Sequence, residues 1–276
     1  MRKSLVLLLF GLALVVGCSS SGSSIVPPVT PTGFKSTGSM SGARLIHTAT
    51  LLGNGRVLVA GGQVDVSHLL ATAEIYDPAT GSFTPTGSMQ AGRSHQTSTL
   101  LKDGNVLIAG GATNTETNAV ATAELYDSAS GTFTPTGGMT TARSHHTATL
   151  LNNGMVLIVG GDAGGGFLAT AELYDPAAGT FTPTGSMTSA RSNHTATLLS
   201  SGKVLVAGGL AASGSLATAE LYDPANGIFT PTGTMANARF DHAATLLNSQ
   251  KVLVAGGDHT VTAELFDPTT GSFTDG

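Results

Sequence analysis

Polar and apolar residues follow one another along this chain in a fixed order, with no helical spacing. A run in which the two alternate, such as His146 to Leu151, ends at a two-residue turn and is followed by a wholly apolar run, such as Val156 to Val159, that closes on a Gly-Gly pair. A third run carries Glu and Tyr two residues apart, and a fourth reads Phe-Thr-Pro-Thr-Gly. Alternation predicts a strand with one face buried, and a short unbroken apolar run between turn signals predicts a strand buried on both faces. The order occurs five times. The arginine opening each copy falls at Arg44, Arg93, Arg143, Arg191 and Arg239, so the successive spacings are 49, 50, 48 and 48 residues. That period is the length of a four-stranded propeller blade, and no helix is needed after the N-terminal segment.

Turn chemistry fixes the strand boundaries. Asn54-Gly55, Asp103-Gly104, Asn153-Gly154 and Ser201-Gly202 are hairpin turns between the first two strands. The pairs Gly61-Gly62, Gly110-Gly111, Gly160-Gly161, Gly208-Gly209 and Gly256-Gly257 mark close backbone approach or positive φ. The third strand holds Glu74 and Tyr76, Glu124 and Tyr126, Glu172 and Tyr174, Glu220 and Tyr222, then Glu264 with Phe266 in place of Tyr. Asp-Pro-x-x-Gly turns the chain into the fourth strand, with Ser128 replacing the proline in copy two. Pro85, Pro135, Pro183 and Pro231 lack an N–H, which places the fourth strand at an outer edge and blunts that edge against pairing. The strand that starts at the repeat arginine is then the inner one.

The Gly-Gly pair after an apolar strand, the Glu-x-Tyr-Asp strand and an aromatic near each repeat end resemble the kelch-repeat family over about residues 33 to 276. Many kelch motifs carry Trp late in the repeat; this chain has none and uses Phe83, Phe133, Phe181, Phe229 and Phe273. The resemblance implies an all-β propeller of four-stranded blades, near 41–89, 90–139, 140–187, 188–235 and 236–276. Phe34 to Met40 repeats the fourth-strand pattern ahead of the first full copy, and propellers of this family commonly close by letting such a strand complete the last blade. Copy five already begins its own fourth strand at Gly271 to Thr274, so two strands compete for one slot. Five blades closing on the N-terminal strand is the expectation; the alternative is that the copies belong to a longer array, as the six or seven blades common in the family would require.

Ahead of the repeats stand Arg2 and Lys3, an apolar run from Leu5 to Val16, then Gly17-Cys18. Charge, length and the small residue before the break match a secretory signal over 1–17, and the run is short for a bilayer span of about 20 residues. Val-Val-Gly-Cys resembles a bacterial lipoprotein signal, which implies a lipidated Cys18, export, and attachment to the cell envelope at the outer membrane or cell surface. Residues 18–33 have linker composition and would reach up to ~50 Å if extended, leaving 34–276 as the propeller. Cys18 is the only cysteine, so no disulfide and no thiol for catalysis or metal remains. Galactose oxidase-like kelch proteins need a cysteine cross-linked to tyrosine, and their copper-radical chemistry does not carry over. Charged residues make up 11% of the chain and the net charge is −5, which offers nucleic acid no general attraction. A single propeller of this kind is expected to be a monomer, without cofactor or metal.

Candidate chemistry lies where copies differ. In an up-and-down blade, the loops from second to third strand share one face with the blade-to-blade connections. From the last Gly of each pair to the third-strand Glu, those loops take 12, 13, 11, 11 and 7 residues. They carry His68, Glu116, Asp162, Asp258 and His259 among unlike neighbours. Variable loops on a rigid face are where binding sits, unless they have drifted as unselected surface. The five arginines open on the same face and could ring an axial mouth for a carboxylate, sulfate or acidic sugar. Equally, each copy supplies a Glu, which points to structural Arg–Glu pairs. His47, His146, His194 and His242 share one repeat position with Gln96, as packing residues would; the preceding position holds Ile46, His95, His145, Asn193 and Asp241. If that side faces the axis, His95, His145, Asn193 and Asp241 form a polar or metal-binding cluster.

No Ser/His/Asp constellation has recognisable flanks, and carboxylates recurring once per blade read as scaffold. The expected function is a lipid-anchored envelope propeller that binds a protein or glycan through its loop face. The alternative is a carbohydrate-active enzyme resembling the kelch-type sialic acid epimerases, with arginines holding a sugar carboxylate. Near-identity of the copies favours the binder, since catalysis needs asymmetry.

Overall fold

A computed structural model describes residues 33, 35–113, 118–258 and 260–275. Five four-stranded antiparallel sheets follow one another in chain order, each running from inner to outer strand. The third blade is typical: Thr147–Leu150, Val156–Val159, Ala171–Asp175 and Thr180–Pro183. The five sheets run from Thr48 to Asp275 and lie within one compact unit that begins at Thr37. First strands contact the first strands of neighbouring blades, from Thr48–Leu51 in blade one to Ala243–Leu246 in blade five. The prolines lie exposed on fourth strands as the missing donor requires, with Pro183 opposite Glu172.

Alternation within the second strand supplies both faces of a blade. Val156 and Ile158 pack toward blade two with Leu107 and Ala109, while Leu157 and Val159 pack toward blade four with Val204 and Val206. The same division gives one apolar core for each consecutive pair of blades. Within a blade, Tyr174 and Phe181 stack at 4.7 Å between ring centroids, so Phe serves where Trp was absent from the motif.

Three further links clamp neighbouring blades. Threonine and glycine after the fourth-strand proline of blades one to four reach the next blade: Thr136 Oγ1 bonds the Tyr174 hydroxyl at 2.9 Å and the Gly137 N–H donates to Gly179 O at 2.9 Å. Thr147 Oγ1 bonds His194 Nε2 at 2.9 Å, as Thr97 does His146 and Thr195 does His242. Finally, the left-handed Gly pair lets the backbones touch. The Gly161 N–H donates to Arg191 O at 2.9 Å, and a Cβ at Gly160 would stand 2.5 Å from that oxygen.

The contest for the last fourth-strand slot goes to the C-terminal strand. Ser272–Asp275 pairs with Ala263–Asp267, which corrects the expectation that Phe34 to Met40 completes that blade. Phe34 itself lies outside the described residues. Thr37 and Gly38 instead sit on blade one, with Thr37 Oγ1 at 2.9 Å from the Tyr76 hydroxyl and the Gly38 N–H donating to Gly81 O at 2.7 Å. These are the contacts that a fourth strand makes with the following blade, so the segment takes the place of a strand from a preceding blade.

Gly160 and Gly256 share a left-handed backbone, φ 62° and 70°, yet a Cβ at Gly256 meets nothing within 4 Å. Gly256→Ala should cost about 1–2 kcal/mol of backbone strain, and Gly160→Ala about 1–3 kcal/mol more from overpacking; equal urea midpoints would contradict the inter-blade contact. Burial holds the clamp histidines neutral, with His146 pushed down to about 3, His242 to about 4 and His194 well below its ordinary value. Because the unfolded chain takes up these protons first, their contribution is full above about pH 6.5. It declines as the pH falls toward about 3. His146→Gln, the residue that copy two uses, should therefore lose less stability than wild type between pH 7 and pH 4 in urea titrations.

Candidate functional site

Each repeat arginine lies inside its blade, 0–6% exposed, beside a glutamate 1–2% exposed. Arg143 Nη1 donates to Gly160 O at 2.8 Å and Thr170 O at 3.1 Å, and its Nη2 donates to Glu172 Oε1 at 2.8 Å. Glu172 in turn accepts the Thr140 and Thr141 N–H groups of the incoming connection. Arg44, Arg93, Arg191 and Arg239 pair with Glu74, Glu124, Glu220 and Glu264 at 2.8–3.1 Å. A guanidinium engaged by two carbonyls and a carboxylate presents no face to an anion at the mouth. Of the two uses open to the arginines, the structure shows the structural one, five internal ties, and the candidate ring for a sugar carboxylate is corrected accordingly.

Two residues after each arginine the chain adopts left-handed backbone at a non-glycine residue: Ile46, His95, His145, Asn193 and Asp241, all with φ of 52–55°. Such residues are uncommon, and here the arginine ties on one side and the first strand on the other enforce the bend. Backbone hydrogen bonds link the bends in sequence: His145 N–H to His95 O, Asn193 N–H to His145 O and Asp241 N–H to Asn193 O, at 3.1–3.4 Å. Side chains of one row follow. The His95 and His145 rings lie 3.7 Å apart, and Asn193 Nδ2 donates to Asp241 Oδ1 at 2.6 Å. Burial, then the neighbouring His145, pushes His95 down to about 4. The structure thus sets the four residues along one row, with side-chain contacts within His95–His145 and within Asn193–Asp241. Among the described residues no group of three or more His, Cys, Asp or Glu is placed to hold a metal.

The second-to-third strand loops flank this row. Leu45 bridges Gln63, Ser94 bridges Ala112, Ser144 bridges Asp162 and Ser192 bridges Leu210, so each loop starts beside the residue preceding the bend. In blade one the loop is a small hairpin, Gln63–Asp65 with His68–Leu69. His68 Nδ1 pairs with Asp65 Oδ1 at 2.8 Å, and hydrogen bonds from Ser67 and then His68 hold the Asp65 carboxyl well below its ordinary range. Val64 and Val66 stand exposed beside them. Below the hairpin runs a cleft of about 840 Å³ lined by Val64, Asp65, His68, Leu70, Gly92 and Thr113, among others.

The Gly92 wall was not foreseen, although its signal is in the sequence: Ala precedes the repeat arginine in the other four copies. A Cβ at Gly92 would stand 2.7 Å from Leu69 O, so glycine is what lets the hairpin settle there. Of the other loop candidates, Asp162 Oδ1 accepts the Gly164 and Gly165 N–H groups and anchors a turn. Asp258 opens the short last loop with its N–H on Phe240 O. Glu116 and His259 lie outside the described residues, as do Cys18 and the N-terminal apolar run.

The sequence profile of the KLHDC2/KLHL20/DRC7 Kelch-repeats domain matches residues 46–257. A solved structure titled "Structure of YjhT" superposes with a TM-score of 0.70 at 14% identity, over 85% of this chain and 84% of that one. That identity carries the fold alone. No curated protein matches the chain.

Arg143→Met would leave Glu172 charged, buried and short of its partner. A loss of about 3–5 kcal/mol is expected in urea unfolding, and a loss under 1 kcal/mol would contradict the scaffold assignment.

Proposed function

This chain belongs to the kelch-repeat family of β-propellers, and we propose that it is a binding module of the bacterial cell envelope, held by a lipid on Cys18. Its ligand is a protein or a glycan, taken on the loop face. One observation carries the reading: the least uniform residues of an otherwise repetitive chain converge on one side, where the blade-one hairpin and Gly92 frame an off-axis cleft. Exposed Val64 and Val66 supply apolar contact, and the Asp65–His68 pair supplies a fixed acceptor and donor. A cleft with a few convergent polar groups on an apolar floor is the usual form of a ligand site.

The alternative of an enzyme acting on an acidic sugar draws on a different observation, the axial row of His95, His145, Asn193 and Asp241, whose unlike groups lie side by side. Its weakness is that the five arginines it would need to hold the carboxylate are tied to glutamates inside the blades.

The two readings separate in one experiment. The full chain in detergent is titrated against an array of neutral and acidic envelope oligosaccharides and against solubilised envelope proteins. Gly92→Ala, which displaces the hairpin, and His68→Ala should each weaken retention about tenfold or more with the unfolding temperature nearly unchanged, while Asp241→Asn leaves it intact. Loss on Asp241→Asn alone, with turnover of an acidic sugar by the wild type, selects the enzyme; no retention of either class overturns the binding role. Cys18→Ser should abolish metabolic labelling by a fatty acid and release the chain from the membrane fraction.

A further inference from the structure

Among the described residues, two blade faces have no neighbour. On blade four, Leu205, Ala207 and Ala219 are 0–1% exposed beneath blade five. Their counterparts Leu253, Ala255 and Ala263 on blade five are only half-buried. A Cβ at Gly61, Gly110, Gly160 or Gly208 would strike the following blade, whereas one at Gly256 meets nothing. The Gly62, Gly111, Gly161 and Gly209 N–H groups each donate to the next blade's arginine carbonyl at 2.8–2.9 Å, and Gly257 has no such carbonyl among the described residues.

Blade one shows the converse. His146, His194 and His242 are buried against the preceding blade, but His47 at the same position is exposed. Val57 and Tyr76 are half-buried where Val204 and Tyr222 are sealed, and Leu51 is 64% exposed. No backbone N–H among the described residues donates to the Arg44 carbonyl.

The two open faces are the two halves of an interface that the chain builds four times. We infer that they join head to tail between copies of this chain, the blade-five face of one molecule seating on the blade-one face of another. The Arg44 carbonyl meets the Gly257 N–H, the His47 imidazole fills the space over Gly256, and Val57 and Tyr76 cover Leu253 and Ala255. Thr37 and Gly38 already stand on blade one's turn, which supplies the Thr-Gly wedge that Ser272–Asp275 does not carry. One clamp is missing, because Ala243 stands where Thr97, Thr147 and Thr195 bond a histidine. The joint between blades one and two also lacks it, with Gln96 Nε2 on Ala60 O instead, and still packs a full core. Contacts of this heterologous kind give a ring where the rotation closes and a filament where it does not, in place of the monomer expected of a single propeller.

Two single-cysteine forms of the full chain, Leu253→Cys and Val57→Cys in a Cys18→Ser background, are purified in detergent, mixed and treated with a short bismaleimide. The proposal expects a linked dimer containing one of each, identified by the mass of the joined peptides, that neither form gives alone. It also expects Leu253→Glu to reduce the sedimenting species to monomer with an unchanged unfolding temperature, since that side chain lies in none of the four built cores. A wild type that sediments as monomer at micromolar concentration overturns it. So does a Val57→Cys/Leu253→Cys double variant that links only within itself, which would show closure in cis. Absence of any linkage overturns it as well, leaving the face to solvent or to residues 1–32.

Discussion

A guanidinium buried without exposure has to be matched by fixed acceptors, and in each blade that requirement ties together everything near the axis. Arg143 binds the end of the second strand through Gly160 O, the start of the third through Thr170 O, and Glu172 beside it. Glu172 gathers the connection from the previous blade through two N–H groups. Removing either charge strands the other in a medium that cannot solvate it, so the pair can vary only as a unit. All five copies hold the pair, even copy five, where neighbouring positions have changed to Phe240, Ala243 and Phe266.

The same tie sets the geometry in which function is sought. With the arginine fixed inward, the chain must turn sharply before the first strand begins, and it does so through a left-handed residue whose identity changes from copy to copy. Ile46, His95, His145, Asn193 and Asp241 thus differ at one shared bend, and the backbones of the last four are hydrogen-bonded in a row. The loops beside them are anchored by bridges at their first residues and differ beyond. Scaffold and candidate site are separated by this division of labour: the recurring Arg–Glu pairs are internal, and the loops that differ most between copies start beside the row of bends.

Repetition has a second consequence. A blade that presents Leu and Ala forward and Val and Tyr backward complements every copy of itself, and the structure resolves four such joints. On blades one and five these faces lack their complements among the described residues, which is why Leu253 and His47 differ in exposure from residues of the same type at the same repeat position. Self-complementarity of this kind carries no instruction on how many blades to stack; only curvature and the chain's own supply of strands limit it.

The period of the arginines, the turn residues and the prolines determined by themselves the five four-stranded sheets, their strand order and the outer edge, because those depend on local backbone preferences and on a two-residue side-chain alternation. They also placed the repeat arginines and the second-to-third strand loops on one face, and left conditional whether the row of His95, His145, Asn193 and Asp241 faces the axis. The sequence left open whether the arginines faced a ligand or a glutamate, since both uses need the same residue types; the third-strand register, which sets each Glu against its Arg, settled it. It misassigned Phe34 to Met40 as well, because a strand pattern states what a segment can pair with and not which partner is nearer. The C-terminal strand is joined to its partner by a short turn and reaches the slot at little entropic cost. The hairpin seated on Gly92 and the cleft beneath it exist only in three dimensions, where one missing Cβ decides how closely two loops can meet.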